Sequence, residues 1–262
     1  MSLVNKESKT VLIIQARMNS QRLPGKVLLP LANTTVLGVL LERVKAAKFI
    51  DKVVVATSTD KADDPICLEC DRHNVTFFRG SEYDVLSRYF AAASLFEARF
   101  VVRICADSPL IDPCALDELC KEFKKKWPKV KYGSNRYEPS YPKGLDIEIF
   151  DFEMLRQAAL FANEIYEREH VTPFIMKKLR PSQILSLKSD VNNSDIRVTI
   201  DEPDDYLLVK QVVDNLGLKK CDTEGVIRFL RENPSLMSVN CSVKQKDCYE
   251  IDARQSIQEV EA

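Results

Sequence analysis

The first 110 residues alternate two kinds of hydrophobic pattern. Short runs rich in β-branched and aromatic residues predict strands, and longer runs with apolar residues three and four positions apart predict helices. The predicted strands cover residues 11–16, 53–57, 75–78 and 100–104. The helices between them begin behind a cap at Thr34 or Thr35, at Asp63 to Pro65, and at residue 85. This order favours an α/β fold, a Rossmann-like and mainly parallel sheet with ligand-binding loops at the carboxyl ends of its strands.

After residue 113 the pattern changes. A helix through about residue 126 precedes a stretch over 132–144 rich in Pro, Ser, Asn, Tyr and Gly, a strand over 145–150, and helical stretches over 152–163 and 166–178. We interpret residues 130–182 as an arm inserted into a single domain of residues 1–262, and expect it to build a second substrate pocket, a dimer contact, or both. Strands are then predicted over 184–187 and 196–200, helices over 206–215 and 223–232, and a polar tail over 233–262.

The composition allows a full hydrophobic core and excludes bulk electrostatic binding. Hydrophobic residues make up 45% of the chain, and 38 Lys and Arg face 39 Asp and Glu. This balance gives no electrostatic footprint for a nucleic acid or an acidic membrane, so any phosphate site must be local. We see no secretion signal at the N-terminus, and no run approaches the roughly 20 apolar residues of a membrane span. We therefore expect a soluble, cytoplasmic protein without a nucleic-acid or membrane partner.

The eight cysteines predict buried thiols rather than a metal site. Cys67 and Cys70 form a C-x-x-C pair, but a structural zinc site needs a second pair or two histidines at ligand spacing, and the other cysteines are scattered. In an intracellular protein the thiols are expected to be reduced. Because Cys67 and Cys70 lie at the start of a predicted helix, we expect its apolar face to cover them.

The most informative segment is the polar loop after the first predicted strand. It carries Arg17, Arg22 and Lys26, together with Ser20 and Gly25. Cations at the carboxyl end of the first strand of an open α/β sheet suit a ligand with several phosphates, so we predict a nucleotide site. The spacing is not that of a P-loop, which needs an earlier Gly and a Ser or Thr after the Lys. The alternative is a solvated basic turn, and the apolar runs on both sides favour the nucleotide site.

Two aspartates are placed to join this loop. Asp107 follows the predicted strand 100–104, and Asp201 follows the predicted strand 196–200. Mg²⁺ is commonly held by one or two carboxylates together with substrate oxygens, so both are candidate ligands. The alternatives are a turn-forming Asp before Ser-Pro for Asp107 and a helix cap for Asp201, while Asp204 and Asp205 are assigned to capping. Two aspartates that face one cationic loop favour the shared metal.

The two histidines differ in their surroundings. His73 is expected near a helix end, and His170 lies in a dense polar cluster of the predicted arm. We place His170 near the second substrate; the alternatives are a structural hydrogen bond and a subunit contact. Lys143, Gly144 and Asp146 follow an aromatic and Pro-rich stretch, and they have the same alternative interpretations.

Six blocks of sequence together resemble the cytidylyltransferase family that makes CMP-activated acidic sugars, the acylneuraminate and 3-deoxy-octulosonate cytidylyltransferases. The match is nearest to the branch of spore coat polysaccharide biosynthesis protein F and covers roughly residues 11–215. The blocks are Ile14-Gln-Ala-Arg-Met-Asn-Ser-Gln-Arg-Leu-Pro-Gly-Lys, Arg79-Gly-Ser-Glu-Tyr-Asp-Val-Leu-Ser-Arg-Tyr, Arg103-Ile-Cys-Ala-Asp-Ser-Pro-Leu-Ile-Asp, Tyr141-Pro-Lys-Gly-Leu-Asp, Arg168-Glu-His-Val-Thr-Pro-Phe and Thr199-Ile-Asp-Glu-Pro-Asp-Asp-Tyr. The fourth and fifth blocks differ from those of the sialic acid and octulosonate enzymes, so the acceptor sugar does not carry over.

The resemblance implies a fold of the nucleotide-diphospho-sugar transferase type and a set of site residues. Arg17, Arg22 and Lys26 would bind the phosphates of CTP and, with Asp107, form the catalytic set, while Asp107 and Asp201 would hold Mg²⁺. Further nucleotide-binding residues would be Ala16 and Ser20, together with a set that would frame the base and ribose: Ala56, Thr57, Gly80, Ser81 and Asp84. The sugar-binding residues would be Asn135, Lys143, Asp146, Glu169 and His170.

The resemblance also implies a reaction and an assembly. A hydroxyl of a sugar, expected to be an acidic sugar, would attack the α-phosphorus of CTP and release pyrophosphate, in surface polysaccharide or glycoconjugate biosynthesis. Such transfer needs charge neutralisation and alignment more than a protein nucleophile, which agrees with the cations and carboxylates of this chain. The family is typically dimeric, so we expect a homodimer. The alternatives are another nucleotide-sugar pyrophosphorylase or a glycosyltransferase, and a regulator that binds the nucleotide or sugar without catalysis.

Overall fold

A seven-stranded sheet is the centre of the molecule in the computed structural model, which describes residues 8–244. Its strands lie in the order β5-β4-β1-β6-β8-β7-β9. Their bounds are β1 Thr10–Gln15, β4 Lys52–Ser58, β5 Thr76–Gly80, β6 Phe100–Cys105, β7 Tyr132–Ser134, β8 Glu148–Asp151 and β9 Ile184–Ser186. A separate hairpin consists of β2 Pro30–Leu31 and β3 Thr34–Thr35.

Ten α-helices and four short 3₁₀ turns are found in the described part of the chain. The helices are α1 Val36–Val44, α2 Asp64–Arg72, α3 Val85–Leu95, α4 Pro113–Lys126, α5 Phe152–Phe161, α6 Ile165–His170, α7 Pro173–Lys178, α8 Pro203–Leu216, α9 Thr223–Glu232 and α10 Pro234–Met237. The 3₁₀ turns are Lys26–Leu28, Lys61–Asp63, Pro181–Gln183 and Leu218–Lys220. Within residues 8–244, no helix has the length and apolar character needed to cross a membrane.

The four strands β5, β4, β1 and β6 are mutually parallel, and β8 joins β6 in the opposite direction. β7 pairs antiparallel with β8 and parallel with β9. The prediction of an α/β fold with a mainly parallel sheet is therefore confirmed. Because the parallel strands share one direction, the loops after β1, β4, β5 and β6 all emerge at the same edge of the sheet.

Hydrophobic side chains cover both faces of the sheet. Leu12 and Ile14 of β1 belong to a core under α1 and α4, whereas Val11 and Ile13 belong to a core under α3 and α5. This alternation follows from the two-residue period of a strand that is buried on both sides. A third core lies around α8 and α9 and includes apolar residues of the segment 196–200.

Several local predictions are confirmed. Thr35 caps α1, because its side chain accepts a hydrogen bond from the backbone of Gly38 at 2.9 Å. Cys67 and Cys70 of α2 are both buried free thiols, and burial raises the pKa of Cys70 to about 12. His73 caps the C-terminus of α2 and lies 3.4 Å from Glu69.

The predicted strand over residues 196–200 is wrong. The segment makes one isolated bridge, from Lys143 to Arg197. Its backbone groups bond to loops instead, since Ile200 donates to the carbonyl of Asp107 at 2.9 Å and Val198 to that of Lys143 at 2.8 Å. The alternating apolar residues of this segment are therefore explained by burial against the third core, and not by pairing in the sheet.

Elements in the range 130–182 also differ from the prediction, and the strand predicted over 145–150 is found as β8, which begins at Glu148. The helical stretch over 166–178 divides into α6 and α7, because Val171 adopts a positive φ of 68° and Pro173 cannot donate a helical hydrogen bond. β7 lies inside the stretch expected to be irregular, where it pairs with a strand on each side. The range thus contributes β7 and β8 to the central sheet. Its expected roles in dimerisation and sugar binding stay predictions.

The predicted polar tail over 233–262 begins as packed structure. Leu236 and Met237 of α10 and the following Val239 pack against the third core, and Asn240 is buried. Residues 245–262 of the predicted tail, including Cys248, lie outside the described residues.

Candidate active site

The loop after β1 folds back on Met18. The Met18 carbonyl accepts hydrogen bonds from the backbones of Ser20 at 2.9 Å and Gly25 at 2.8 Å. Gly25 has a φ of 70°, in the left-handed region that favours glycine, and it starts the turn that carries Lys26. The Met18 amide donates to the carboxylate of Asp63 at 2.7 Å. The loop is therefore held in place by hydrogen bonds of the Met18 backbone.

Lys26 lies between the two predicted aspartates. Its Nζ donates to Asp107 Oδ2 at 2.7 Å and to Asp201 Oδ1 at 2.9 Å. Burial disfavours the charged ammonium, but the two carboxylates outweigh that effect, so the pKa of Lys26 is raised. The structure thus brings together three charged groups that are up to 175 residues apart in the sequence.

Backbone contacts hold the two aspartates side by side. Asp107 lies two residues beyond β6, and its carbonyl accepts the Ile200 amide at 2.9 Å. Asp201 is not the cap of α8, because Glu202 occupies that position and Asp205 completes the capping box. The carboxylate of Asp201 instead contacts Lys26, Arg22 at 3.0 Å and Arg197 at 2.8 Å. Burial alone would raise the pKa of Asp201, but these three cations lower it.

A cleft of about 1070 Å³ opens at this edge of the sheet. Twelve of the residues predicted from the sequence line it: Ala16, Arg17, Ser20, Arg22, Lys26, Asp107, Asn135, Lys143, Asp146, Glu169, His170 and Asp201. The residues expected at the base and ribose are not among the lining residues: Ala56, Thr57, Gly80, Ser81 and Asp84.

These latter residues make structural contacts beside the cleft. Thr57 is buried and donates to Asp63 at 3.1 Å. The Gly80 carbonyl accepts the amide of Thr59 at 3.0 Å. Asp84 caps α3 and accepts a hydrogen bond from Arg168 Nε at 2.9 Å. Their expected roles at the nucleoside stay predictions.

The floor of the cleft contains a buried ion pair that the sequence did not identify. Arg103 of β6 lies opposite Glu148 of β8, and Nη1 donates to Oε2 at 2.5 Å. Glu148 Oε1 also accepts from Tyr132 at 2.6 Å and Thr172 at 2.8 Å. Burial opposes ionisation of Glu148, but Arg103 and these donors keep its pKa below the usual value. The available signal was a charged residue among the apolar residues of two predicted strands, Arg103 in one and Glu148 in the other.

Ser134 and Ser186 extend this row across the sheet. Ser134 is the register partner of Glu148, and Ser186 is the register partner of Ser134. Paired residues of neighbouring strands point to the same face, so four polar side chains form a continuous row from β6 to β9.

His170 faces the same part of the cleft as a neutral imidazole. Burial, together with the positive charges of Arg103 and Arg136, lowers its pKa to about 4. Among the described residues, no hydrogen-bond partner is found for His170 Nε2 or for Gln15 Oε1, although both atoms are buried. Both residues line the cleft, so these atoms are available to a ligand.

The remaining predicted sugar residues differ in their contacts. The side-chain amide of Asn135 bonds to the loop before β8. Its nitrogen donates to the Leu145 carbonyl at 2.7 Å, and its oxygen accepts from the Ile147 amide at 2.8 Å. Asp146 has a raised pKa because of burial, which the nearby Arg136 only partly offsets. Glu169 lies 3.8 Å from Arg17, which connects α6 to the loop after β1.

The donor set at Asp107 and Asp201 fits Mg²⁺. Two half-buried carboxylates beside a cationic loop supply hard oxygen ligands, and Mg²⁺ takes its other ligands from water and substrate phosphates. In the part of the chain that the structure describes, no group of three or more His, Cys, Asp and Glu side chains could hold a metal by itself.

The comparisons with known proteins agree with this geometry. The family model described as cytidylyltransferase matches residues 11–206, from β1 into α8, and so includes both aspartates and the loop cations. The chain belongs to the cytidylyltransferase family. The predictions of this family and of a nucleotidyltransferase enzyme are confirmed.

Relatives and one solved structure match this cytidylyltransferase over most of its length. An uncharacterized protein of Methanocaldococcus jannaschii is 35% identical over 246 residues, covering 93% of this chain and 99% of that one. The spore coat polysaccharide biosynthesis protein SpsF of Bacillus subtilis is 31% identical over 230 residues, 85% of this chain and 94% of that one. The structure of a cytidylyltransferase from Leptospira borgpetersenii superposes with a TM-score of 0.85 at 32% identity, covering 92% of this chain and 100% of that one.

Proposed function

We propose that this protein is a Mg²⁺-dependent cytidylyltransferase that transfers CMP from CTP to an acidic sugar and releases pyrophosphate. The observation that carries the proposal is the cluster of Lys26, Asp107 and Asp201 in the cleft at the carboxyl edge of the parallel strands. A site that only bound a polyanion would gain nothing from two carboxylates, which repel it, whereas a divalent ion bound between the carboxylates and the phosphates would use them as ligands.

The loop cations supply the contacts for the triphosphate. Arg17, Arg22 and Lys26 all line the cleft. Guanidinium groups form paired, charge-assisted hydrogen bonds with phosphate oxygens, and an ammonium acts as a point charge. All three are held by carboxylates in the structure. A bound triphosphate would therefore exchange these contacts for its own oxygens.

Asp107 and Asp201 would hold Mg²⁺ when CTP is bound. The ion would neutralise phosphate charge and favour the alkoxide form of an attacking hydroxyl. Lys26 contacts both carboxylates and would bind the charge that develops on the leaving pyrophosphate.

The transfer itself is a substitution at phosphorus. An oxygen of the acceptor forms a bond to the α-phosphorus, the bond from that phosphorus to the bridging oxygen breaks, and the acceptor proton is released. No protein nucleophile is required, because alignment and charge stabilisation supply most of the rate enhancement in phosphoryl transfer. The residues of this chain contribute by orientation and by fixed charges.

We assign the acceptor to the half of the cleft that contains Arg136, Lys143 and His170, and the charges of this half support a sugar that carries a negative charge. Arg136 and Lys143 line this half and are exposed to it. Neutral His170 and Gln15 present buried hydrogen-bonding atoms suited to hydroxyl groups. The similarity to a spore coat polysaccharide biosynthesis protein supports a product used in polysaccharide or glycoconjugate synthesis.

A homodimer remains part of this proposal. Leu160 and Phe161, at the end of α5 within the range 130–182, are 58% and 63% exposed. Adjacent large apolar side chains on a surface are typical of a protein contact.

The proposal is tested by pyrophosphate release from each of the four nucleoside triphosphates with Mg²⁺ and a panel of acidic and neutral sugars. Release with CTP and a sugar acid is expected. Asp201→Asn should abolish it, whereas Asp204→Asn, the same change at an exposed position three residues on, should not. Transfer that requires a sugar phosphate would indicate a pyrophosphorylase instead, and CTP binding without release would indicate a regulator.

A further inference from the structure

The segment after α10 reaches back to the active site through Asn240. This side chain is 5% exposed and belongs to the range that the sequence predicts as a polar tail. It also lies beyond residues 11–206, which the family model matches. Its amide nitrogen has two hydrogens, and it donates to the Arg197 carbonyl at 3.1 Å and to Asp205 Oδ1 at 2.8 Å.

Asp205 is the centre of this contact. Its carboxylate has no exposed surface. Oδ1 accepts from Asn240 and from Arg197 Nε at 2.8 Å. Oδ2 accepts from Arg197 Nη2 at 3.0 Å and from the backbone amides of Asp201 at 3.0 Å and Glu202 at 3.1 Å. A buried carboxylate with five donors is fixed in position, because loss of any donor leaves it less well compensated.

Two of these contacts act on Asp201. Asp205 accepts a hydrogen bond from the backbone amide of Asp201, and Arg197 Nη2 donates to Oδ2 of Asp201 at 2.8 Å. The other oxygen of Asp201, Oδ1, faces Lys26 and Arg22. The orientation of the Asp201 carboxylate is therefore set by Arg197 and Asp205, and Asn240 bonds to both of these residues.

We propose that Asn240 is a positioning residue for Asp201, so that the C-terminal segment of residues 238–243 braces the metal-binding side of the active site. This inference rests on the proposed role of Asp201 toward a divalent ion. Partners one step behind a metal ligand typically change metal affinity or activity about 10- to 100-fold when they are removed. Asn240 lies one step further back, so we expect an effect of about tenfold, at the low end of that range.

Asn233 provides a matched control. Like Asn240 it lies beyond residues 11–206, between α9 and α10, and its amide donates to a backbone carbonyl, that of Phe229, at 2.8 Å. No contact of Asn233 with Asp205 or Arg197 is found among the described residues. Asn233→Ala therefore removes a comparable hydrogen bond without removing the contacts of Asn240 with Arg197 and Asp205.

The experiment measures binding of Mn²⁺ to the full-length protein in the presence of CTP, by the electron paramagnetic resonance signal of free Mn²⁺. Asn240→Ala should weaken Mn²⁺ binding about tenfold, and Asn233→Ala should leave it unchanged. In parallel, the Mg²⁺ concentration that gives half-maximal pyrophosphate release should rise by a similar factor for Asn240→Ala, while the KM for CTP at saturating Mg²⁺ stays near that of the wild type. If Asn240→Ala does not fold, Asn240→Ser, which retains a smaller donor, replaces it.

Mn²⁺ affinity of Asn240→Ala equal to that of Asn233→Ala would overturn the proposal, even if both variants unfold at a lower temperature than the wild type. A wild-type protein that binds Mn²⁺ with CTP but releases no pyrophosphate with any sugar would instead count against the proposed transfer, and the comparison of Mn²⁺ affinities would still decide the role of Asn240.

Discussion

The buried pair of Arg103 and Glu148 gives the sharpest test of the structure. The two residues are 8% and 4% exposed, and Glu148 accepts three side-chain hydrogen bonds. Glu148→Gln keeps the shape of the side chain and removes its charge, which leaves the guanidinium of Arg103 buried without its counter-ion. Removal of one partner of a buried pair costs about 3–5 kcal/mol, and because Gln retains an acceptor we expect about 3 kcal/mol. For a domain of this size that loss lowers the Tm by roughly 6–12 °C.

The measurement is thermal and urea unfolding at pH 7, with Glu153→Gln as the control. Glu153 is paired with Arg156 on the surface, at 43% and 46% exposure, and its substitution should leave the Tm unchanged because exposed pairs are screened by solvent. The double variant Arg103→Met with Glu148→Met should recover much of the loss, since well-packed apolar residues often replace a buried pair without destabilisation. A Glu148→Gln variant as stable as the Glu153→Gln control would refute the reasoning.

Three further predictions concern His170, Lys26 and the end of α5. His170 has a pKa of about 4 in the folded protein, below its ordinary value of 6.5. Between these two pH values the unfolded chain binds a proton at this residue and the folded protein does not, so folding stability falls as the pH drops from 6.5 toward 4. We expect a loss of about 1.5 kcal/mol between pH 6.5 and 5 that His170→Asn lacks, measured as the difference between their urea curves. Lys26→Met should lower kcat/KM for CTP by at least about 100-fold, because it removes a preorganised cation; a decrease below tenfold in steady-state kinetics would contradict that role. Leu160→Ser with Phe161→Ser should shift sedimentation from dimer to monomer, and an unchanged profile would exclude this surface as the subunit contact.

Prediction from the sequence succeeded where a residue's neighbours follow from chain direction alone. Asp107 and Lys26 follow parallel strands, so both had to reach the same sheet edge. Arg103 and Glu148 could not be found in this way, because their pairing depends on β8 entering beside β6 in the opposite direction. Asp201 was placed correctly although the strand before it was wrong, since its position depends on burial and on backbone bonds to Asp107 rather than on a sheet partner.

The base and ribose residues show a different limit. Thr57 lies near the end of β4 and Asp84 directly before α3, but their side chains are occupied by Asp63 and Arg168. A sequence shows that a buried polar side chain needs a hydrogen-bond partner, but it does not show whether that partner is a ligand or another part of the fold. Gln15 shows the converse, because this residue of a predicted strand lines the cleft with an oxygen that has no hydrogen-bond partner within residues 8–244.

The reversed direction of β8 has an evolutionary consequence. The loops that carry Lys26 and Asp107, which we propose bind the phosphates, follow parallel strands, whereas residues 143–147 precede a strand that starts at the same edge. Residues 143–147, part of the proposed acceptor site, therefore form a connection into the sheet, and the length and composition of this connection can change without altering the spacing of the strands that precede Lys26 and Asp107. Under the proposed function, new acceptor preferences can arise in this loop by insertion or substitution while the loops that carry Lys26 and Asp107 are kept, so that the sugar can change and the chemistry stays the same.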